Sequence, residues 1–129
     1  MFNKVKNKAG EKPSYLDRID ELDKVSIVRL RGDIDQETVP IIEDRIMANR
    51  LSGSKIDKNV LVDYAHTGKI DSAAVAFHLM RLKEYEAKGF KIGFINVSDT
   101  LRTYLEMFNL SDTFKIYSNE SEAVNELNQ

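Results

Sequence analysis

Apolar and polar residues alternate along most of the chain with two different periods, and each change of period marks a change of predicted secondary structure. Short runs rich in β-branched and aromatic residues predict strands, whereas apolar residues repeated every three or four positions predict amphipathic helices. The predicted strands occupy residues 15–21, 25–31, 60–62, 90–97 and 114–117. The predicted helices begin near residues 39, 72, 99 and 120. Strands and helices therefore alternate from the second strand onward.

Residues that favour helix ends support these predicted helices. The candidate N-caps are Thr38, Ser98 or Asp99, and Asn119. Gly89, directly after Lys88, is a typical helix stop. The predicted core positions are Val39, Ile42 and Ile46 on the first helix, Val75, Leu79 and Leu82 on the second, Leu101, Leu105 and Phe108 on the third, and Ala123 and Leu127 on the fourth. His78, by contrast, is expected at the surface or only partly buried.

The alternation predicts an α/β domain with a mixed, mostly parallel sheet and about four helices. The first two strands are separated by a short turn at residues 22–24 and should form an antiparallel hairpin. Residues 32–33 are predicted to end the second strand, and residues 63–69 to form a polar connection. The domain is predicted to span residues 14–129, after a lysine-rich, disordered tail at residues 1–13 that offers few apolar side chains to bury.

Length, charge and cysteine content exclude several classes of protein. A chain of 129 residues fits one domain. Its net charge of -2, with both signs mixed along the chain, argues against direct nucleic-acid binding. The chain contains no cysteine, so disulfides, thiolate metal sites and a cysteine nucleophile are excluded. Because no apolar run is long enough to span a membrane and the first residues lack the apolar segment of a signal peptide, we expect a cytoplasmic protein.

Two predicted loops carry the residues best suited to a function. Residues 32–35 follow the second strand and residues 69–72 lead into the second helix, and functional groups of α/β sheets gather at such positions. Ser72 would lie at the amino end of its helix, where unpaired N–H groups and the helix dipole favour a phosphate. A phosphoserine there would add about two negative charges beside Asp71 and near the acidic residues of the first loop. Alternatively, Ser72 is only a helix N-cap.

The acidic residues of these loops allow other interpretations. Asp33, Asp35 and Asp71 could form a carboxylate cluster for acid–base catalysis or for a hard metal ion. However, no histidine is spaced to join such a cluster, and the sequence contains neither a phosphate-binding loop nor a nucleophile elbow. We therefore predict no enzymatic activity, no cofactor and no metal ion.

Five segments occur in an order and with a spacing typical of one protein family. They lie at residues 28–35, 60–64, 70–72, 88–96 and 101–110 and include Gly32-Asp33-Ile34-Asp35 and Ile70-Asp71-Ser72. Together they resemble the STAS domain family of sulfate transporters and anti-sigma factor antagonists, especially the bacterial anti-sigma factor antagonists. The resemblance covers residues 15 to 127 and implies the STAS fold.

The resemblance implies a non-enzymatic signalling switch. In such proteins, a serine that follows a loop aspartate is phosphorylated by an anti-sigma factor that is itself a serine kinase, and the unphosphorylated form binds that kinase. The matching phosphorylation site is Ser72. The implied partner surface comprises Asp33, Asp35, Asp71, Ser72, Ala73 and Ala74.

One departure from the family pattern leaves alternatives open. The family usually has serine or threonine and then glycine after the phosphorylated serine, whereas this chain has Ala73-Ala74. The change stiffens the first helical turn and adds methyl groups. It favours an adaptor that uses the same surface without phosphorylation, as a subunit of a lipid-transport or sensory complex. A third possibility is a binder of a nucleotide or another small molecule at the Gly32 and Ile70 loops, where helix N-termini face one crevice.

Overall fold

The computed structural model describes residues 2–4, 15–49 and 51–129, with only the backbone of residues 2–4. Within these residues, six strands form one sheet: β1 (Phe2–Lys4), β2 (Leu16–Glu21), β3 (Val25–Ile34), β4 (Asn59–Ile70), β5 (Ile92–Ile95) and β6 (Lys115–Ile116). The helices are α1 (Val39–Ala48), α2 (Ser72–Ala87), α3 (Asp99–Met107) and α4 (Glu120–Leu127), and a short 3-10 turn lies at Gly53–Lys55. This confirms the predicted α/β class and the four predicted helices.

The strands lie side by side in the order in which they occur in the chain. β1, β2 and β3 pair antiparallel, and β3, β4, β5 and β6 pair parallel. The mixed, mostly parallel sheet and the antiparallel hairpin of β2 and β3 are therefore confirmed. Each parallel connection carries a helix, because parallel neighbours need a crossover that returns the chain to the same end of the sheet.

The first strand lies in the predicted disordered tail. Residues 2–4 pair with β2, with Phe2 opposite Asp20 and Lys4 opposite Arg18; the rest of the predicted tail lies outside the described residues. The prediction rested on the scarcity of apolar side chains, but an edge strand is held by backbone hydrogen bonds that any side chain allows. Residues 2–4 therefore form an edge strand within the segment that the sequence predicted to be a disordered tail.

β3 and β4 are also longer than the sequence predicted. β4 continues through residues 63–69, which were predicted as a polar connection, and β3 continues past Gly32 to Ile34. The two strands remain paired beyond the rest of the sheet, with Gly32 opposite Thr67 and Ile34 opposite Ile70. The polar residues misled the prediction because this extension is largely exposed and pairs over a long sequence distance. β5 and β6 are shorter than predicted.

The sheet separates two apolar cores. The larger core lies between the sheet and α1, α2 and α3, and the smaller one lies under α4. The smaller core consists of Val25, Ile27, Leu61, Ile95, Ala123 and Leu127. Most predicted core positions are buried, but Phe108 is 48% exposed because it follows the last turn of α3, where it stacks on Tyr104.

A charged network fixes the amino end of α4 to its face of the sheet. Arg29 contacts a carboxylate oxygen of Asp20 at 2.8 Å, of Asp63 at 2.9 Å and of Glu120 at 2.6 Å. Asn96 donates to the other oxygen of Asp63 at 2.8 Å. Burial alone would raise the pKa of Asp63, but hydrogen bonds from Asn96, a backbone amide and Arg29 hold the pKa below its ordinary value. The network therefore keeps a buried carboxylate ionised between the sheet and α4.

His78 is buried in the larger core, where the prediction of a surface or partly buried side chain is wrong. It is 3% exposed, and its Nε2 atom is hydrogen bonded to the hydroxyl of Tyr64. Its ring also contacts Phe77 and Phe94. Burial lowers the pKa of His78 to about 3, because the low-dielectric core disfavours the charged imidazolium.

The buried His78 should make the domain less stable as the pH falls. The unfolded chain binds a proton below the ordinary pKa of 6.5, whereas the folded protein resists protonation down to about pH 3. Protons therefore favour the unfolded chain between these values. We expect the free energy of unfolding to fall by about 2 kcal/mol between about pH 7 and about pH 5 from this group alone.

Urea denaturation across this pH range measures the effect. His78→Gln should remove this contribution to the slope, since glutamine does not titrate but can accept the Tyr64 hydrogen bond. His66→Gln, at an exposed histidine on β4, is the matched control and should keep the slope. Equal slopes in all three proteins would contradict a neutral, buried His78.

Candidate functional site

The extended pairing of β3 and β4 brings the two candidate loops together. The last pair of this ladder is Ile34 with Ile70, so the segment that leads into α1 and the first turn of α2 leave the sheet side by side. The Asp71 amide donates to the Ile34 carbonyl at 3.4 Å. The Gln36 amide donates to Asp71 Oδ2 at 3.1 Å. The sequence prediction that these loops share one edge of the sheet is therefore correct.

Asp71, not Ser72, caps α2. Asp71 has an extended backbone, and its Oδ1 accepts a hydrogen bond from the Ala73 amide at 2.9 Å. Its backbone carbonyl accepts from the Ala74 amide at 3.1 Å. Ser72 is the first helical residue and is exposed. The alternative interpretation of Ser72 as the cap is therefore wrong, and the Ala73 donor expected to be open to a phosphate is already used by Asp71.

Asp35 and Thr38 form a reciprocal set of hydrogen bonds that closes the turn before α1. Asp35 Oδ1 accepts from the amides of Glu37 at 2.9 Å and Thr38 at 3.0 Å. The buried Thr38 hydroxyl accepts from the Asp35 amide at 3.0 Å and donates to the Asp33 carbonyl at 2.7 Å. Thr38 occupies the predicted cap position but makes no side-chain hydrogen bond to α1. These bonds give residues 35–38 a fixed shape.

Asp33 joins β3 to β4 where their register shifts. Its Oδ1 accepts from the Lys69 amide at 2.8 Å. The carboxylate can approach because residue 68 is glycine: a Cβ atom there would lie 2.5 Å from Asp33 Oδ1. Asp33 is thus an internal acceptor for β4, although its side chain is exposed.

An open cleft of about 420 Å³ lies between the two loops and is lined by Asp35, Gln36, Glu37 and Asp71. Glu37 was not among the predicted site residues; it is exposed and makes no side-chain hydrogen bond or ion pair with any described residue. Its position between Asp35 and Thr38 could have indicated that it belongs to the site, since every residue of a tight turn borders the surface that the turn forms.

The two alanines after Ser72 differ in exposure. Ala73 is partly exposed, whereas Ala74 is 0% exposed and packs in the larger core. Ala74 was predicted on the partner surface, but the period of the helix turns its methyl group inward. The departure from the family pattern therefore changes the surface only at Ala73.

Other chemistry receives little support from the described part of the chain. Its aspartate, glutamate and histidine side chains contain no group of three that could hold a metal ion. None of its helices has both the length and the apolar character needed to cross a bilayer. His78 is buried in the larger core, and within the described residues no hydrogen bond or ion pair joins His66, which is exposed on β4, to the aspartates of the loops.

Comparison with known proteins identifies the family to which this arrangement belongs. The sequence model of the STAS domain matches residues 18–123. The chain belongs to the STAS domain family. A comparison with curated protein sequences gives no match.

Solved structures share the fold of this STAS domain at low sequence identity. A Thermotoga maritima protein described as a candidate anti-sigma factor antagonist has a TM-score of 0.76 and 19% identity, over 86% of this chain and 93% of the other. The Bacillus cell fate determinant SpoIIAA in its phosphorylated form has a TM-score of 0.63 and 21% identity, over 84% of this chain and 96% of SpoIIAA. Murine solute carrier 26 family member A9, an anion transporter, has a TM-score of 0.70 and 16% identity, over 84% of this chain and 18% of the transporter. At these identities the similarity establishes the fold alone.

A double-mutant cycle tests the contact between Asp33 and β4 in this STAS domain. Gly68→Ala should displace the Asp33 carboxylate from the Lys69 amide and cost about 1.5 kcal/mol of stability, the lower end of the range for a hydrogen bond to a charged acceptor, because this bond is exposed. Asp33→Ala should cost a similar amount. The double variant should lose little more than either single variant, because both changes remove the same bond.

Chemical denaturation of the four proteins measures these free energies. Losses that add in the double variant would show that Gly68 and Asp33 act independently, contrary to the contact described.

Proposed function

We propose that this STAS domain is a non-enzymatic, cytoplasmic anti-sigma factor antagonist that binds an anti-sigma factor with serine kinase activity and is switched off by phosphorylation of Ser72. The observation that carries the proposal is the exposed first residue of α2, which lies directly after Asp71 at the edge of the cleft formed with residues 35–37. A kinase can reach such a hydroxyl without unfolding the domain.

Phosphorylation would change this surface mainly through charge. A phosphate on Ser72 adds about two negative charges next to Asp71 and on the same edge of the sheet as Glu37. The added charge repels an acidic partner surface and carries a hydration shell that a close interface must remove. Docking is weakened while the core is untouched, since the Ser72 hydroxyl makes no hydrogen bond within the described residues.

The proposed partner surface comprises Asp33, Asp35, Glu37, Asp71, Ser72 and Ala73. Its three aspartates give the loops their shape by accepting backbone hydrogen bonds. Its exposed residues are Asp33, Glu37 and Ser72, and of these the Ser72 hydroxyl and the Glu37 carboxylate make no side-chain hydrogen bond within the described residues. Similarity in fold to anti-sigma factor antagonists, among them SpoIIAA in its unphosphorylated and phosphorylated forms, supports this choice of partner class.

The proposal predicts modification of Ser72 and a loss of affinity when that residue is charged. After incubation with ATP and a serine-kinase anti-sigma factor from the same organism, mass spectrometry should place one phosphate on Ser72. Ser72→Asp should weaken binding of the unmodified protein to that kinase at least about tenfold, equivalent to about 1.4 kcal/mol. Ser72→Ala should bind the kinase and remain unphosphorylated.

Ser121→Asp is the matched control. Ser121 is an exposed serine in the first turn of α4, on the opposite face of the sheet, and the same charge there should leave the affinity unchanged. The proposal fails if no phosphate is found on Ser72 and Ser72→Asp binds the kinase as tightly as the unchanged protein.

A second candidate function is favoured by one observation. The partly exposed methyl of Ala73 replaces a hydroxyl that the family pattern usually places beside the phosphorylated serine. An adaptor subunit of a lipid-transport or sensory complex needs no such hydroxyl. For this function, Ser72→Asp should leave affinity unchanged, and a transport ATPase or receptor rather than a serine kinase should be the main protein recovered with the domain.

A further inference from the structure

We infer that Asp71 is a positioning residue, whose carboxylate ties the segment before α1 to the first turn of α2, and that a phosphate on Ser72 releases this tie. The inference rests on the proposed function and adds a route by which phosphorylation reshapes the partner surface.

The two oxygens of the Asp71 carboxylate bond to different segments. Oδ1 accepts from the Ala73 amide at 2.9 Å, within α2, and Oδ2 accepts from the Gln36 amide at 3.1 Å, in the segment before α1. The bonds of Asp35 to Glu37 and Thr38 fix the internal shape of that segment but do not attach it to α2. The Asp71 carboxylate therefore links the two sides of the cleft, in addition to the backbone bond from the Asp71 amide to the Ile34 carbonyl.

A phosphate on Ser72 would compete with this carboxylate. It would be covalently attached one residue after Asp71, and its oxygens would be attracted to the same amide donors at the amino end of α2. Its charge of about minus two would also repel the Asp71 carboxylate. Because a carboxylate is rigid, a displacement that breaks the bond from Oδ1 also moves Oδ2 away from the Gln36 amide. Phosphorylation then frees Gln36 from Asp71.

The bond of Asp71 to its own helix can be separated from its bond to Gln36. Asp71→Asn retains one acceptor oxygen, and asparagine caps helices as well as aspartate. It should therefore keep α2 intact and lose the bond to the Gln36 amide. If Asp71 only capped α2, Asp71→Asn would leave the hydrogen bonding of the Gln36 amide unchanged.

Amide exchange with solvent, measured by NMR on the full chain, tests the inference. In Asp71→Asn and in Ser72→Asp, the Gln36 amide should exchange roughly tenfold faster than in the unchanged protein, as expected for loss of a hydrogen bond to a charged acceptor. The Glu37 and Thr38 amides, which bond to Asp35, should change less. Ser121→Asp should leave all three amides unchanged, and the melting temperature of Asp71→Asn should stay close to that of the unchanged protein.

A Gln36 exchange rate in Ser72→Asp within about twofold of the unchanged protein would overturn the inference, because a factor of two is well below the loss of one such bond. If that result is found while Ser72→Asp still loses affinity for the kinase, charge alone operates the switch and the proposed function stands. If the Gln36 amide is released but the kinase neither binds nor modifies the domain, the positioning role of Asp71 stands and the proposed function fails.

Discussion

The parallel pairing of β3 with β4 is the constraint on which the rest of the molecule depends. The two strands pair from Val25 and Asn59 to Ile34 and Ile70, whereas β5 pairs with β4 only as far as Asp63. Parallel strands end at the same edge of a sheet, so the chain must leave β3 and β4 side by side. For this reason, the segment before α1 and the first turn of α2 are neighbours in space although they are distant in sequence.

Sequence signals predicted the parts of the fold that local interactions decide. Ser98 and Asn119 cap their helices by accepting hydrogen bonds from amides three residues on, and such caps can be recognised in the sequence. The extent of β4 could not be recognised, because its polar residues 63–69 are held by pairing with a distant strand. His78 was misassigned for another reason: it lies on the apolar stripe of α2, but histidine more often occupies less buried positions.

The candidate site, too, could be predicted from the sequence only in part. The exposure of Ser72 follows from the start of α2, which the sequence predicts. The roles of the carboxylates do not, because the acceptors used by a side chain depend on how two loops are placed. Asp35 and Asp71 accept backbone hydrogen bonds within and between the loops, which leaves Glu37 as the carboxylate of the cleft with no described partner. Ala74 lies in a surface motif by sequence but in the core by helical period.

Apolar packing and loop hydrogen bonds lie in different parts of the molecule, so the interactions that stabilise the fold are separate from those at the candidate site. Two apolar cores hold the fold, and each fully buried aliphatic or aromatic side chain in them contributes about 1.5–3 kcal/mol. The loops of the candidate site are joined by only a few hydrogen bonds near the surface. Each bond to a charged acceptor contributes about 1.5–3 kcal/mol, whereas a core sums the contributions of many side chains. The charge of one phosphate can compete with a bond of that size, but it cannot outweigh a core. Under the proposed function, a phosphate on Ser72 would therefore alter the surface formed by the loops while β3, β4 and α2 keep their packing, and this combination would let a stable domain be switched reversibly.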